Sequence, residues 1–144
     1  MIRVVLDANV YVSAVLKPSS NPGQIVDLVR RNAVHLIVSP DILAEVKAVL
    51  LYPRLRKLHR RSPKWLRAYV LELSDLAEMI PGDVEVNAIK DDPSDNIYLA
   101  CAVEGKADLI VSGDRHLKDL KSFRQIPIVD PAKFLQVISK GSGK

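Results

Sequence analysis

Short apolar runs of strand length alternate with longer helical stretches along this chain, and the alternation restricts its fold more than any other feature. The runs at residues 2–6, 34–38 and 108–112 are rich in β-branched and aliphatic side chains. Strands of this composition are typical of parallel sheets that helices cover. We therefore predict an α/β fold with a largely parallel sheet.

The remaining elements follow from capping residues and apolar periodicity. Ser39 and Pro40 form a helix start, as do Ser62 and Pro63. Ile126–Val129 is predicted to be an edge strand, because Pro127 cannot donate to a central ladder. The other expected elements are helices over 10–16, 24–32, 40–51, 63–79, 93–104 and 131 to about 138, and a short strand over 84–86.

Length and composition favour a single small domain. The chain has 144 residues, of which we assign 1–140 to the domain and 141–144 to a flexible tail. No apolar segment is long enough to span a membrane, and Asp7 interrupts the N-terminal run where a secretion signal would continue. We expect a soluble, cytoplasmic protein. Cys101 is the single cysteine, so we expect it to pack in the core.

Positive charge is concentrated in one segment. The net charge is +4, and no acidic residue lies between Glu45 and Glu72. That segment contains the cations Lys47, Arg54, Arg56, Lys57, Arg60, Arg61, Lys64 and Arg67. Such a strip is compatible with a polyanionic partner and equally with an ordinary solvated helix face.

Four acidic residues occupy positions that predict a shared site. Asp7 and Asp114 directly follow predicted strands, and the carboxyl ends of parallel strands line the ligand crevice of an open α/β sheet. Glu45 and Asp95 lie near the starts of helices that face the same crevice. We predict that the four carboxylates converge.

Each acid also has a structural interpretation. Asp7 could cap the helix that follows, although Asn9 is predicted to be the better cap. Asp95 could support a helix start capped by Asp92, and Asp114 could belong to a turn. Glu45 could be an ordinary surface residue. Without histidine or cysteine, the set indicates a hard, oxygen-liganded cation such as Mg²⁺ or Mn²⁺ and not zinc.

Four segments in order resemble the PIN-domain nucleases, in particular the toxins of toxin–antitoxin pairs of the VapC type. They are residues 5–10 (VLDANV), 38–46 (VSPDILAEV), 92–100 (DPSDNIYLA) and 107–114 (ADLIVSGD), and the similarity covers nearly the whole chain. The resemblance implies a three-layer α/β/α sandwich with a central, mostly parallel sheet. It also implies that a cognate antitoxin and self-association, as a dimer or higher oligomer, are to be expected.

The same resemblance implies an activity and its residues. The activity is hydrolysis of RNA phosphodiester bonds with one or two Mg²⁺ or Mn²⁺ ions, which leaves 5′-phosphate and 3′-hydroxyl ends. Ser112 stands where the family often has threonine. The implied residues are Asp7, Glu45, Asp95 and Asp114 as metal ligands and catalytic groups, with Asn9 and Ser112 as supporting groups. Apart from the resemblance, the charge distribution makes Arg54, Arg56, Lys57, Arg60 and Arg61 candidate substrate contacts, and Arg115 is a further candidate because it follows Asp114.

Other functions remain open at this point. A PIN nuclease of RNA processing, or a catalytically silent PIN domain that binds RNA or a partner, would have the same pattern. Haloacid-dehalogenase-type phosphatases also place an aspartate after the first strand, but they need a second one where this chain has Asn9.

Overall fold

The computed structural model describes residues 1–90 and 93–142, and side-chain burial through residue 140. The strands are β1 (Arg3–Leu6), β2 (His35–Val38), β3 (Glu78–Met79), β4 (Leu109–Val111), β5 (Ser122–Phe123) and β6 (Ile126–Val129). The helices are α1 (Ala8–Leu16), α2 (Asn21–Arg30), α3 (Pro40–Leu50), α4 (Pro53–His59), α5 (Pro63–Leu76), α6 (Asn96–Glu104), α7 (Arg115–Leu120) and α8 (Pro131–Ser142).

The strands form one sheet in the order β3, β2, β1, β4, β6, β5, and only the β5–β6 pair is antiparallel. Val4, Val5 and Leu6 of β1 are all fully buried. Because successive side chains of a strand point to opposite faces, both faces of the sheet are covered. The prediction of a mostly parallel sheet between layers of helices is therefore confirmed.

Around β3 the predicted boundaries are wrong. Helix α5 ends at Leu76, where a helix to residue 79 was expected, and residues 84–86 form no strand. Instead, the chain pairs with β2 through Glu78 and Met79, and the Ile80 amide donates to the Val38 carbonyl at 2.9 Å. Pairing with the free edge of β2 overrides the local helical periodicity there.

Two further corrections concern short elements. Helices α4 and α7 fall in segments for which no helix was predicted, and α4 is tied to α3 by a 2.9 Å hydrogen bond between His59 Nε2 and the Leu50 carbonyl. Strand β6 is not an edge strand, because β5 pairs with it on the outside. Pro127 is tolerated because it precedes Ile128 and Val129, the two residues in register with β4.

The start of α6 and the end of α8 differ from the predicted helix boundaries. The segment predicted to begin a helix at residue 93 forms a 3₁₀ turn, Pro93–Asp95, before α6. Asp92, its predicted cap, lies outside the described residues. Helix α8 continues through Ser142, so it includes the first two residues of the predicted tail, and residues 143–144 lie outside the described part.

The structure also bears on the single cysteine and on the length of the apolar helices. Cys101 is a buried free thiol on α6, as predicted for a core residue. Within the described residues, no helix is long and apolar enough to cross a membrane.

Candidate active site

The four predicted acids line a single pocket of about 160 Å³ at the carboxyl ends of β1 and β4. Asp7 and Asp114 come from the segments that follow those strands, Glu45 comes from α3, and Asp95 ends the 3₁₀ turn before α6. Asn9 also lines the pocket. The structure therefore brings together every acid that the sequence singled out.

Ser112 connects two of the acids. Leu6 of β1 is in register with Val111 of β4, so Asp7 and Ser112 leave the sheet side by side. The fully buried Ser112 hydroxyl donates to Asp7 Oδ2 and accepts from the Asp114 amide at 2.8 Å. One hydroxyl thus fixes the orientation of one carboxylate and the backbone of another.

Asp7 also caps α1, which corrects the prediction that Asn9 is the cap. The helix begins at Ala8, and Asp7 Oδ1 accepts from the Val10 amide at 3.1 Å. Asn9 lies inside the first turn, and its side chain is exposed at the pocket. The two oxygens of Asp7 therefore have different partners, one in the helix and one in the β4 segment.

Burial raises the pKa of Asp7, and the charge of Asp114 raises it further, while hydrogen bonds from Ser112 and Val10 act in the opposite direction. Asp7 is only 2% exposed. Losing water costs an ionised carboxylate more than the hydrogen bonds restore. The pocket therefore holds a carboxylate that a cation would stabilise.

Asp114 and Glu45 are only half-buried. Asp114 caps α7, because its Oδ1 accepts from the His116 amide at 2.8 Å and the Leu117 amide at 3.4 Å. Glu45 projects from α3, whose first turn is capped by the Ser39 hydroxyl. Strand β2 leads directly into that helix, which brings Glu45 to the same end of the sheet.

Tyr98 lines the pocket and Asn96 follows Asp95 in the chain, and neither was singled out in the sequence. The Tyr98 hydroxyl accepts from the Ala8 amide at 3.1 Å and lines the pocket. Its pKa is raised by burial first and then by the charges of Asp7, Glu45 and Asp95. Asn96 exchanges hydrogen bonds of 2.8 and 2.9 Å with the backbone of Ile89. The only sequence signal for Tyr98 is its position one helical turn after Asp95.

The donor chemistry of the pocket fits Mg²⁺ or Mn²⁺. Four carboxylates and the amide of Asn9 supply hard oxygen atoms, which these ions prefer. Across residues 1–90 and 93–142, however, no group of three histidine, cysteine or acidic side chains is arranged to hold an ion. The fit therefore rests on the donor atoms and their common pocket and not on a formed coordination sphere.

The predicted substrate-contacting cations lie outside this pocket. The exposed residues Arg56, Lys57, Arg60 and Arg61 border an open concavity of about 410 Å³, which we call the basic surface. Arg54 is exposed on α4 as well, and α4 packs against α1 and α3. Arg115 follows Asp114, and its Nε lies 3.8 Å from Asp119 Oδ2.

The raised pKa of Asp7 generates a stability prediction for the protein in EDTA. A raised folded-state pKa contributes stability that is complete below the unfolded-state value near 3.8 and is lost as pH rises through the folded-state pKa. Asp7→Asn should prevent this loss of stability, because the amide does not ionise as pH rises. We expect the melting temperature of the variant to exceed that of the wild type at neutral pH, because a buried amide carries no charge that the loss of water would penalise.

Thermal unfolding from about pH 4 to about pH 8 measures this difference. The gap between the variant and the wild type should widen as pH rises. The exposed Asp75→Asn on α5 is the matched control, because it makes the same change of side chain outside the core. A gap that stays constant, or a variant that is less stable throughout, would contradict the assignment of Asp7 as a destabilising buried carboxylate.

Comparison with known proteins agrees with this architecture. Residues 3–116 match the family model of the PIN domain. An uncharacterized protein of Methanocaldococcus jannaschii is 34% identical over 136 residues, which cover 94% of this chain and 81% of that protein.

Solved structures share the fold at low sequence identity. VapBC2 of Rickettsia felis bound to promoter DNA matches with a TM-score of 0.59 and 14% identity, over 90% of this chain and 98% of that one. PAE2754 of Pyrobaculum aerophilum matches with a TM-score of 0.61 and 11% identity, over 96% of this chain and 90% of that one. DNA-bound VapBC of Salmonella typhimurium matches with a TM-score of 0.60 and 15% identity, over 91% of this chain and 99% of that one. From the family match and the relative at 34% identity, we conclude that this chain belongs to the PIN domain family.

Proposed function

We propose that this protein is a divalent-metal-dependent endoribonuclease and the toxin of a type II toxin–antitoxin pair. The observation that supports the proposal best is the convergence of Asp7, Glu45, Asp95 and Asp114 in one pocket. PIN domains are in general nucleases that use divalent metal ions. A pocket of carboxylates is unsuited to bind a phosphodiester on its own, and a cation removes that repulsion.

Each site residue has a role in this proposal. The four acids hold one or two Mg²⁺ or Mn²⁺ ions, Ser112 orients Asp7, and Asn9 offers a further oxygen at the rim. A bound ion would supply Lewis-acid activation of water and of the scissile phosphate. The water oxygen bonds to phosphorus as the bond to the 3′-oxygen breaks, which gives 5′-phosphate and 3′-hydroxyl products.

Phosphates outside the pocket require cations. The basic surface and Arg54 supply them on α4 and the link to α5, close to the helix that carries Glu45. None of Arg54, Arg56, Lys57, Arg60 and Arg61 forms an ion pair with an acid in the described parts of the chain. Arg115 directly follows Asp114, one of the four acids of the pocket.

Protein partners form the second part of the proposal. Two of the solved structures with this fold are VapBC assemblies bound to DNA. We propose that this chain binds a cognate antitoxin, which covers or distorts the acidic pocket. We also propose that the nuclease self-associates. Each of these partners is proposed on the likeness of fold alone.

Cleavage of a mixed RNA pool tests the nuclease directly. We expect cutting with Mg²⁺ or Mn²⁺, none in EDTA, and a loss in Asp7→Asn and Asp95→Asn larger than the roughly 10- to 100-fold typical of groups that only orient ligands. Ser112→Ala should fall within that smaller range, and Ser112→Thr should restore activity because it keeps the hydroxyl. Asp75→Asn is the control. Equal cutting by wild type and Asp7→Asn would mean a contaminant, and an inactive wild type would favour a silent, binding PIN domain.

Expression in a bacterial host tests the toxin assignment separately. Wild-type protein should arrest growth, Asp7→Asn should not, and co-expression of the product of the adjacent reading frame should relieve the arrest. Growth and colony counts after induction are the measurement, at matched levels of the two proteins. Unimpaired growth from a protein that cleaves RNA in vitro would contradict the toxin assignment and favour a nuclease of RNA processing.

A further inference from the structure

A second concave surface lies outside the acidic pocket. This cavity, of about 280 Å³, is lined by residues of α1, α2, the link before α5 and α5 itself. Its walls include Val15, Gln24, Asp27, Arg61, Trp65 and Tyr69. It therefore combines an aliphatic and aromatic floor with polar groups that could contact the edge of a planar ligand.

Two stacked aromatic rings and a guanidinium follow one another from the interior to the surface beside this cavity. Buried Tyr69 stacks on half-buried Trp65 with ring centroids 5.5 Å apart and an interplanar angle of 14°. The guanidinium of exposed Arg61 lies 4.5 Å from the centroid of the Trp65 ring. The Tyr69 hydroxyl donates to the Tyr11 carbonyl at 3.0 Å, which anchors the inner end of the stack. The outer end is a planar cation against an indole.

Arg61 also borders the basic surface, so the two concavities are adjacent and share this residue. The neighbouring cations Arg56, Lys57 and Arg60 make no ion pair with any acid that the structure describes. A planar stack next to several uncompensated cations is the combination that binds single-stranded nucleic acid, where bases stack and phosphates are neutralised. An acidic protein segment would satisfy the cations but make no use of the stack.

We propose that Trp65 and Arg61 form a nucleobase-binding subsite for single-stranded RNA, with the adjoining phosphates on Arg56 and Arg60. The base stacks at the outer end of this array, on the Arg61 guanidinium that lies over the Trp65 ring. This inference rests on the proposed RNA substrate, but it concerns a surface separate from the acidic pocket. Its consequence is that substrate preference depends on a base held away from the bond that is cut.

The two surfaces are close enough for one strand to reach both. Val49 lines the acidic pocket, and Pro53 borders the basic surface four residues later. Four residues span at most roughly 14 Å, a distance that a few nucleotides cover. RNA held on the basic surface could therefore reach the acidic pocket within a few nucleotides.

Trp65 is the single tryptophan of the chain, so its fluorescence reports on this subsite alone. We would titrate the full chain in EDTA with a single-stranded oligoadenylate and with an abasic ribose-phosphate strand of the same length. Saturable quenching by the base-bearing strand, with little quenching by the abasic one, is the expected result. Equal quenching by both strands would overturn base stacking and leave phosphate binding only.

Variants separate the stack from general charge, with the dissociation constant for labelled RNA as the measurement. Trp65→Leu should raise the dissociation constant roughly tenfold, and Trp65→Phe should largely preserve binding, because it keeps an aromatic face. Circular dichroism and melting temperature establish that each variant is folded. Equal binding by Trp65→Leu and wild type would overturn the subsite.

Arg60 offers a variant that tests its charge without loss of stability. Arg60 has a left-handed backbone with φ of 56°, so Arg60→Gly should relieve strain while it removes the cation. Lys106→Gly is the matched control, because the exposed Lys106 has φ of 53° and lies before β4, at the opposite end of that strand from Asp114. Weaker RNA binding in Arg60→Gly and not in Lys106→Gly supports the proposal, and equal effects would overturn it.

The outcomes are distinguishable from those of the nuclease assay. Quenching by RNA without any cleavage would leave the subsite standing and reject the nuclease. Metal-dependent cleavage with unchanged Trp65 emission would support the nuclease and overturn the subsite. The cavity would then be a candidate site for a protein segment such as that of an antitoxin.

Discussion

The parallel pairing of β1 with β4 is the contact on which the candidate site depends. Because Leu6 and Val111 are in register, the chain delivers Asp7 and Ser112 to the same point at the edge of the sheet. The Ser112 hydroxyl then holds both the Asp7 carboxylate and the Asp114 amide. Leu6 and Val111 are fully buried and Asp7 is nearly so, and Asp7 therefore cannot shift without disturbing the core. The geometry of the pocket is thus a property of the sheet.

Charge is separated between neighbouring surfaces. Asp7, Glu45 and Asp114 form no ion pair with a cation of the described residues, although α4 with its arginines packs near α3. Direct pairing would neutralise both sets, since acids would lose their capacity to bind a cation and arginines their capacity to bind phosphate. The separation leaves negative charge in the pocket and positive charge outside it. This is the arrangement that a metal-dependent enzyme acting on a polyanion requires.

The sequence predicted the parts of the fold that local patterns determine. Buried strands that end in Asp7 and Asp114, and the Ser39–Pro40 start of the helix bearing Glu45, follow from periodicity and capping alone. Strand β3 could not be predicted, because its two residues are extended only through pairing with β2. Helix α4 has little apolar periodicity and depends on the contact of His59 with Leu50. The pocket role of Tyr98 depends on a tertiary contact with Ala8, which no local pattern encodes.

Equilibrium binding of Mn²⁺, followed by electron paramagnetic resonance, tests most directly whether the four acids form one metal centre. We expect one or two ions bound per chain, competition by Mg²⁺, and weakened binding in each of Asp7→Asn, Glu45→Gln, Asp95→Asn and Asp114→Asn. A loss of roughly tenfold or more in affinity per variant is expected, because each removes a charged ligand. Binding that none of these substitutions weakens would place the metal elsewhere and contradict the account.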